Sequence, residues 1–144
     1  MTYSVPRVGI SIMVIRDCKD ILLGKRKGAH GAGEWAFPGG KQEFGESIWD
    51  TFRRELAEEC GGALKVKDER VLCIGDLTAY KGKHFLDITI ACTYVGGDAA
   101  VMEEDKCESW EWFPMDIKKL PSPRFAPIVD IIGAHKYGYS YWRV

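Results

Sequence analysis

The sequence has 144 residues, 46% hydrophobic and 28% charged, which is enough for one well-filled core but too few for two ordinary domains. Its net charge of -1 lacks the basic excess typical of proteins that bind nucleic-acid polymers or anionic membranes. We therefore expect one domain, residues 1–144, with a small-molecule partner rather than a nucleic acid or a membrane.

The cysteines and the N-terminal segment indicate the cellular compartment. Five cysteines are scattered along the chain without a Cys-x-x-Cys pair, a pattern that fits neither a disulfide framework nor a zinc site. We expect reduced, buried thiols. The segment Met1–Arg7 lacks the basic and apolar pattern of a secretion signal, and no apolar run is long enough to span a bilayer. A soluble, cytoplasmic protein is expected.

The first predicted elements are a strand, its hairpin partner and a helix. Residues 8–15 are almost continuously apolar and β-branched, which predicts a buried strand, and residues 20–23 continue as its partner. Ser47 and Asp50 have the spacing of a helix capping box, and Gly61 is placed to end the helix. At about 100° per residue this helix gathers its apolar side chains on one arc. They are Ile48, Trp49, Phe52, Leu56 and Cys60.

Later elements are shorter or less regular. Residues 84–94 alternate in polarity, with Asp87 and Thr89 on the polar side, which predicts a half-buried strand. Further predicted elements are strands at 71–77 and 109–113, a loop at 96–106 and an amphipathic helix at 127–135. Of the histidines, His30 has no ligand spacing, whereas His84 stands at a strand entrance where it could face a ligand.

Three glutamates border the buried arc of the predicted helix. Glu59 falls within the edge of the arc, Glu55 lies beside it and Glu58 is further round. Two carboxylates ~5 Å apart at an effective dielectric constant of ~20 repel by about 3 kcal/mol, so a positive group should lie among them. Clustered oxygen ligands favour Mg²⁺ or Mn²⁺, as in a phosphoryl-transfer site. A solvated acidic helix face is the alternative for these glutamates taken alone.

The segment before the helix adds to this pattern. Residues 38–40 read Pro-Gly-Gly, a turn whose backbone can approach an ion or phosphate closely. From Gly40 the chain continues with five residues, Glu46, seven residues and then Arg-Glu-Leu-Ala-Glu-Glu-Cys-Gly at 54–61. This matches the Nudix box, G-x5-E-x7-R-E-U-x-E-E-x-G-U with U aliphatic, except at the last position, where Gly62 stands. The chain therefore resembles the Nudix superfamily.

The resemblance implies an α/β fold, an α/β/α sandwich around a mixed sheet, and a set of site residues. By resemblance, the metal ligands are Glu55, Glu58, Glu59 and the Gly39 carbonyl. Mg²⁺ is the implied ion, with Mn²⁺ as a substitute. Glu46 and Arg54 would orient the cluster, Arg54 through ion pairs that the helical spacing also allows with Asp50 and Glu58. The general base is left open among Glu58, Glu103 and Glu104.

Motifs outside the box resemble MutT-type nucleotide diphosphatases of the same superfamily. They are residues 22–28, 37–40, 43–46 and 107–112. This resemblance implies hydrolysis of nucleoside triphosphates, including oxidised ones such as 8-oxo-dGTP, to monophosphate and pyrophosphate, often by a homodimer. Arg26 matches the phosphate-contacting arginine, and Gly40 is expected at the substrate. Where these relatives carry a Phe-Trp pair at the base pocket, this chain has Phe125 and Ala126. The expected pocket residues are Trp35, Phe125, Ile128 and His84.

Two further functions stay open from the sequence. The same metal site could act on a nucleoside diphosphate linked to a sugar or on an isoprenoid diphosphate. A binding module that has lost turnover is the third reading, although such modules typically lose box glutamates and this chain keeps all of them.

Overall fold

The computed structural model describes residues 4–28 and 31–144. The start of the N-terminal segment and His30, both considered above, lie outside the described residues. The strands are β1 (Arg7–Arg16), β2 (Asp20–Arg26), β3 (Trp35–Ala36), β4 (Gly39–Lys41), β5 (Lys65–Leu77), β6 (Phe85–Gly96), β7 (Cys107–Pro114) and β8 (Tyr141–Arg143). The helices are α1 (Ile48–Cys60) and α2 (Ile128–Tyr137), and a short 3-10 helix spans Ile117–Lys119.

All eight strands join one mixed sheet whose main path runs β3-β2-β1-β6-β5-β8. One edge of β1 pairs in parallel with β6. Its other edge is divided between β4, which pairs antiparallel with residues 9–11, and β2, which pairs with residues 15–16. β7 continues the sheet from β2. The division of this edge places the Gly-Gly turn beside the first half of β1.

The sheet is covered on both faces. On one face Phe52 and Leu56 of α1 pack against Ile12 of β1, and on the other Ile131 of α2 packs in a cluster with Met13 of β1. The neighbouring side chains Ile12 and Met13 are each 0% exposed, as expected for the continuous apolar run that predicted this strand. The α/β/α sandwich expected from the sequence is confirmed.

Helix α1 has the predicted ends. The Asp50 N–H donates to the Ser47 hydroxyl over 3.1 Å, and the Ser47 N–H donates to the Asp50 carboxylate over 3.0 Å. Gly61 ends the helix at a φ of 82°, a conformation that a side chain would strain. The buried residues of the helix include Phe52, Leu56 and Cys60, as the wheel predicted.

The prediction for residues 84–94 was wrong in one respect. β6 is not half-buried, because Asp87 is 4% exposed and Thr89 is 0% exposed. The strand lies between β1 and β5 in the middle of the sheet, and both core clusters cover it. Alternation in the sequence therefore marks two buried faces of different polarity, rather than one buried and one exposed face.

The remaining predicted strands and the second predicted helix are present with shifted boundaries. The strand expected at 71–77 begins at Lys65, because its antiparallel pairing with β6 continues through bulges. The expectation of buried thiols is wrong for Cys18, which is exposed in the β1–β2 turn. Neither α1 nor α2 has the length and apolar character needed to cross a bilayer.

The packing of α1 yields a stability prediction. Phe52→Ala should lower the free energy of unfolding by about 3–5 kcal/mol, because it leaves a cavity under the helix. Ala57→Ser, on the exposed face of the same helix, is the control and should cost about 0.5 kcal/mol. Urea unfolding followed by circular dichroism measures both changes. Equal effects of the two substitutions would contradict the packing described for α1.

Candidate functional site

A cleft of about 910 Å³ lies beside the Gly-Gly turn. One end is formed by Gly39 and Gly40 of β4 together with Glu55 and Glu59 of α1. The other end is formed by β6, the β5–β6 connection and the segment before α2. The cleft therefore joins an acidic end, where the Nudix-like motif lies, to an end that the sequence motif does not include.

Arg54 organises the acidic end. Its guanidinium makes two hydrogen bonds to the Glu46 carboxylate, over 2.8 and 2.9 Å, and a third to Glu55 over 2.7 Å. A longer contact of 3.4 Å reaches Glu58, as the helical spacing predicted. The expected pair with Asp50 is wrong, because the Asp50 carboxylate accepts from the Ser47 N–H and pairs with Arg53 instead.

Glu46 fixes the loop before α1 to the helix. Besides Arg54, its carboxylate accepts from the Glu43 N–H over 2.8 Å and from the Thr51 hydroxyl over 3.1 Å. Thr51 is 0% exposed, so its hydroxyl is held in place. The Arg54 hydrogen bonds and the Glu43 amide lower the pKa of Glu46 to about 2. Glu46 does not itself line the cleft and can orient only through Arg54.

Glu55 and Glu59 lie together at the cleft. The Glu55 side chain is 13% exposed, whereas that of Glu58 is 50% exposed. Burial and the neighbouring Glu55 carboxylate raise the pKa of Glu59, and burial raises that of Glu55. Two buried carboxylates in contact are costly to ionise without a cation between them. The arrangement therefore favours binding of either a proton or a metal ion.

Two glycines let the backbone approach these carboxylates. A Cβ on Gly40 would overlap the Glu55 carboxylate, and one on Gly39 would overlap the Ile10 carbonyl oxygen. The Gly39 N–H donates to Glu59 over 3.3 Å. A side chain at Gly40 would displace the turn from α1, and one at Gly39 would displace it from β1, which gives the Gly-Gly motif its structural reason.

Trp110 holds the end of the helix that carries Glu59. Its indole N–H donates to the Glu59 backbone carbonyl over 3.1 Å. The ring lies against Gly24 of β2, where a Cβ would overlap it. Trp110 thus links β7 and β2 to the last turn of α1. This link holds the backbone of Glu59 in position relative to the sheet.

The donor chemistry fits a hard divalent cation, because carboxylate and carbonyl oxygens are the ligands that Mg²⁺ prefers. Of the predicted ligands, the structure brings Glu55, Glu59 and Gly39 together, while Arg54 draws the Glu58 carboxylate to itself. Within residues 4–28 and 31–144, no three His, Cys, Asp or Glu side chains converge in a metal-holding geometry. A cation would have to draw Glu58 inward to complete a set of three carboxylates.

Cations surround the carboxylates at the rim of the cleft. The basic residues that line it are Arg7, Arg26, Lys27, Lys41, Lys83 and Lys106. Three of them lie near one another, since burial together with the charges of Lys41 and Arg26 lowers the pKa of Lys83. Acidic residues line the cleft as well, among them Glu34, Glu43, Glu103 and Asp105, so the basic side chains offer separate points of contact for an anionic ligand rather than a uniformly positive surface. Arg26, predicted to contact phosphate, is one of these basic residues.

The far end of the cleft is aromatic. Tyr80 and Phe125 stack with ring centroids 6.1 Å apart and an interplanar angle of 15°. The Tyr80 hydroxyl donates to Glu34 over 2.7 Å and accepts from the Ala126 N–H over 3.0 Å. Burial and Glu34 raise the pKa of Tyr80 to about 12, so the hydroxyl keeps its proton. No local pattern in the sequence marks Tyr80, which lies in the short connection between β5 and β6.

Three predicted pocket residues are not brought to the cleft. Ile128 is 0% exposed inside the core, and the expectation that it lines the pocket is corrected. Trp35 packs edge-on against Phe113 at 5.0 Å, and His84 bonds to Asp76 over 2.9 Å. Of the expected set, Phe125 lines the cleft, and Ala126 beside it does not.

The glutamates that were candidates for the general base differ in whether they line the cleft. Glu103 lines the cleft and its carboxylate lies 3.2 Å from the Lys106 ammonium group, whereas Glu104 is exposed and outside it. Asp87, on the buried polar face of β6, also lines the cleft. The sequence signal for Asp87 was an acidic residue within an otherwise apolar strand.

The environment of Glu46 predicts its titration. Its carboxyl should remain ionised at pH 3, and carbon-detected NMR of the side-chain carboxyl measures this. Because folding lowers the pKa, the stabilising contribution is complete above the ordinary value of 4.5 and is lost as the pH falls towards about 2. Arg54→Ala should move the titration towards 4.5. Unchanged titration in Arg54→Ala would contradict the role assigned to the guanidinium.

Known proteins resemble this chain along most of its length. A MutT NUDIX hydrolase from Burkholderia pseudomallei is 32% identical with a TM-score of 0.80, and the match covers 91% of this chain and 98% of that one. The oxidized purine nucleoside triphosphate hydrolase of Danio rerio is 36% identical, covering 70% of this chain and 61% of that protein. The ADP-ribose pyrophosphatase of Methanocaldococcus jannaschii is 32% identical, covering 85% and 69%.

The chain spans about half the length of several curated relatives that it matches. The NUDIX domain family matches residues 5–128, which is most of the sequence. The box residues Glu46, Arg54, Glu55 and Glu59 meet within this match, at the Gly-Gly turn. The chain belongs to the NUDIX domain family.

Proposed function

We propose that this protein is a Mg²⁺-dependent hydrolase of phosphorus anhydrides that converts nucleoside triphosphates to nucleoside monophosphate and pyrophosphate. The observation that carries the proposal is the buried Glu55–Glu59 pair, packed against the Gly-Gly turn inside a cleft with a basic rim. The carboxylates suit a divalent cation, and the rim suits the phosphates that such a cation accompanies. Mn²⁺ should substitute for Mg²⁺, because both are oxygen-preferring ions.

The role proposed for each site residue follows from its position in the cleft. Glu55, Glu59 and the Gly39 carbonyl would hold the ion, with Glu58 as a further ligand. When bound, the ion neutralises charge on the phosphate oxygens and makes a water more acidic. Arg54, fixed by Glu46, orients the Glu55 carboxylate through its 2.7 Å hydrogen bond.

Two carboxylates are candidates to take the proton from the attacking water. Glu58 is half exposed and held by Arg54, while Glu103 lies in the cleft beside Lys106. Arg26 and the other rim cations would bind the phosphates and orient them for attack. The aromatic end formed by Tyr80 and Phe125 is placed to receive the nucleoside.

A nucleoside diphosphate linked to a sugar is the second candidate substrate, supported by the similarity to an ADP-ribose pyrophosphatase. A panel of triphosphates, ADP-ribose and an isoprenoid diphosphate tests the proposal when each compound is assayed with and without Mg²⁺. Pyrophosphate release is followed for the triphosphates, phosphate release for the isoprenoid diphosphate, and formation of AMP and ribose 5-phosphate for ADP-ribose. Pyrophosphate released from triphosphates supports it. Turnover of ADP-ribose alone favours the second candidate, and no turnover of any compound would indicate a binding module.

Glu59→Gln tests the metal site. It should lower kcat at least about 100-fold, because a metal ligand supplies several kcal/mol of transition-state stabilisation. The thermal midpoint should not fall, since the amide removes a buried charge and can still accept from the Gly39 N–H. The matched control is Glu104→Gln, an exposed glutamate outside the cleft, which should keep full turnover. Normal Mg²⁺-dependent turnover by Glu59→Gln would refute the assignment.

Arg26→Ala separates phosphate binding from base recognition. It should raise KM for all nucleoside triphosphates by a similar factor, because a phosphate contact carries no information about the base. Steady-state kinetics on four triphosphates measures this. Lys25→Ala is the control, since Lys25 pairs with Glu108 at 3.4 Å and does not line the cleft. A loss confined to one base would instead place Arg26 at the base.

A further inference from the structure

Asp87 is a buried carboxylate that the proposed chemistry does not use. It is 4% exposed, in the middle of the sheet, and it lines the cleft. The Ser11 hydroxyl donates to one carboxylate oxygen over 2.8 Å, and the Thr89 hydroxyl lies 3.4 Å from the other. Burial raises the pKa of Asp87 to about 7. A buried acid without a strong partner is costly to fold, which points to a ligand-binding role.

In the part of the chain that the structure describes, no basic side chain compensates this carboxylate. Among residues 4–28 and 31–144, Asp87 takes part in no ion pair with Lys, Arg or His. A carboxylate has about four lone-pair sites, and the two hydroxyls occupy two of them. Each oxygen therefore retains acceptor capacity, and the open side of the site is the cleft.

The surroundings shape this site for a flat ring. Gly9 pairs with Asp87 across β1 and β6, and a Cβ there would be in ordinary van der Waals contact, at 3.6 Å, with the carboxylate and with the Phe85 ring. Because glycine has no side chain, the space beside the carboxylate and this ring is left unfilled at the cleft. The stacked Tyr80 and Phe125 line the same cleft, and aromatic faces of this kind hold nucleobases by stacking.

We infer that Asp87 determines base specificity by accepting two adjacent N–H groups from a 2-amino-6-oxopurine, the guanine type of base. The ring N–H and the 2-amino group of such a base lie side by side, as the two oxygens of a carboxylate do. Adenine and cytosine present one donor beside one acceptor on the same edge, and an acceptor-only carboxylate leaves their ring nitrogen unpaired. This inference rests on the proposed function, because it assigns the base of the nucleotide bound there.

Equilibrium binding of nucleoside monophosphates tests the inference without turnover. NMR titration of the wild-type protein should show GMP binding roughly tenfold more tightly than IMP, which lacks only the 2-amino group. Asp87→Asn replaces one acceptor with a donor, so it should reduce this ratio to about one and tighten AMP relative to GMP. Asp76→Asn is the matched control on the neighbouring strand, since Asp76 bonds to Tyr141 and does not line the cleft.

Each other outcome overturns the inference. Equal binding of GMP and IMP, tighter binding of AMP than GMP, or no binding of any of them by the wild-type protein would do so. Equal binding of GMP and IMP by the wild type overturns the inference even if Asp87→Asn does not fold.

The test also separates this inference from the proposed function. Base discrimination without triphosphate hydrolysis would refute the proposed function and leave the assignment of Asp87 intact. Hydrolysis of triphosphates together with equal binding of GMP and IMP would support the proposed function and refute the assignment of Asp87.

Discussion

The contact between Glu55 and Glu59 is the constraint on which the site depends. Both carboxylates sit on one turn of α1. Burial disfavours each of them as an anion, and the Glu55 carboxylate further disfavours ionisation of Glu59. Among the described residues, the ion pair that offsets this cost is the one between the Arg54 guanidinium and Glu55. On the other side, Glu59 meets the single N–H of Gly39. The negative charge at Glu59 is therefore less compensated than that at Glu55, and it lies at the cleft.

The fold keeps that region in place from three directions. The capping box fixes the start of α1, the Gly-Gly turn presses against its middle, and Trp110 ties its last turn to β7. The turn itself is held because β4 pairs with β1 at residues 9–11. Strain or drift in any of these contacts would move Glu55 and Glu59 relative to the backbone of Gly39. The site is therefore a property of the sheet and helix together.

The sequence predicted correctly those features that depend on residues close together in the chain. The ends of α1, its buried arc and the order of burial of Glu59, Glu55 and Glu58 follow from helical geometry and capping spacing alone. The wrong partner for Arg54 shows the limit of such reasoning. Helical spacing favoured Asp50 as the partner of Arg54, but the Asp50 carboxylate accepts from the Ser47 N–H in the capping box. The fold of the preceding loop brings Glu46 to Arg54 instead.

The aromatic end of the cleft could not be predicted because it is assembled from distant segments. Tyr80 follows β5 and Phe125 precedes α2, so only the sheet order brings their rings together. Ile128 was expected there because it is close to Phe125 in sequence, yet the start of α2 turns it into the core. Asp87 was assigned to an exposed face, since alternation does not reveal that a second helix covers that face.

The Tyr80 hydroxyl joins three segments, because it donates to Glu34 before β3 and accepts from the backbone of Ala126 before α2. Phenylalanine at this position would leave both the carboxylate and the amide without a partner at once. A substitution at Tyr80 alone therefore loses two hydrogen bonds and leaves two polar groups unpaired. If Glu34 changes to an apolar residue at the same time, only the Ala126 N–H is left unpaired. Positions 34 and 80 are 46 residues apart in the chain. Because one hydroxyl oxygen makes the contact between them, we expect substitutions at these two positions to covary among related sequences.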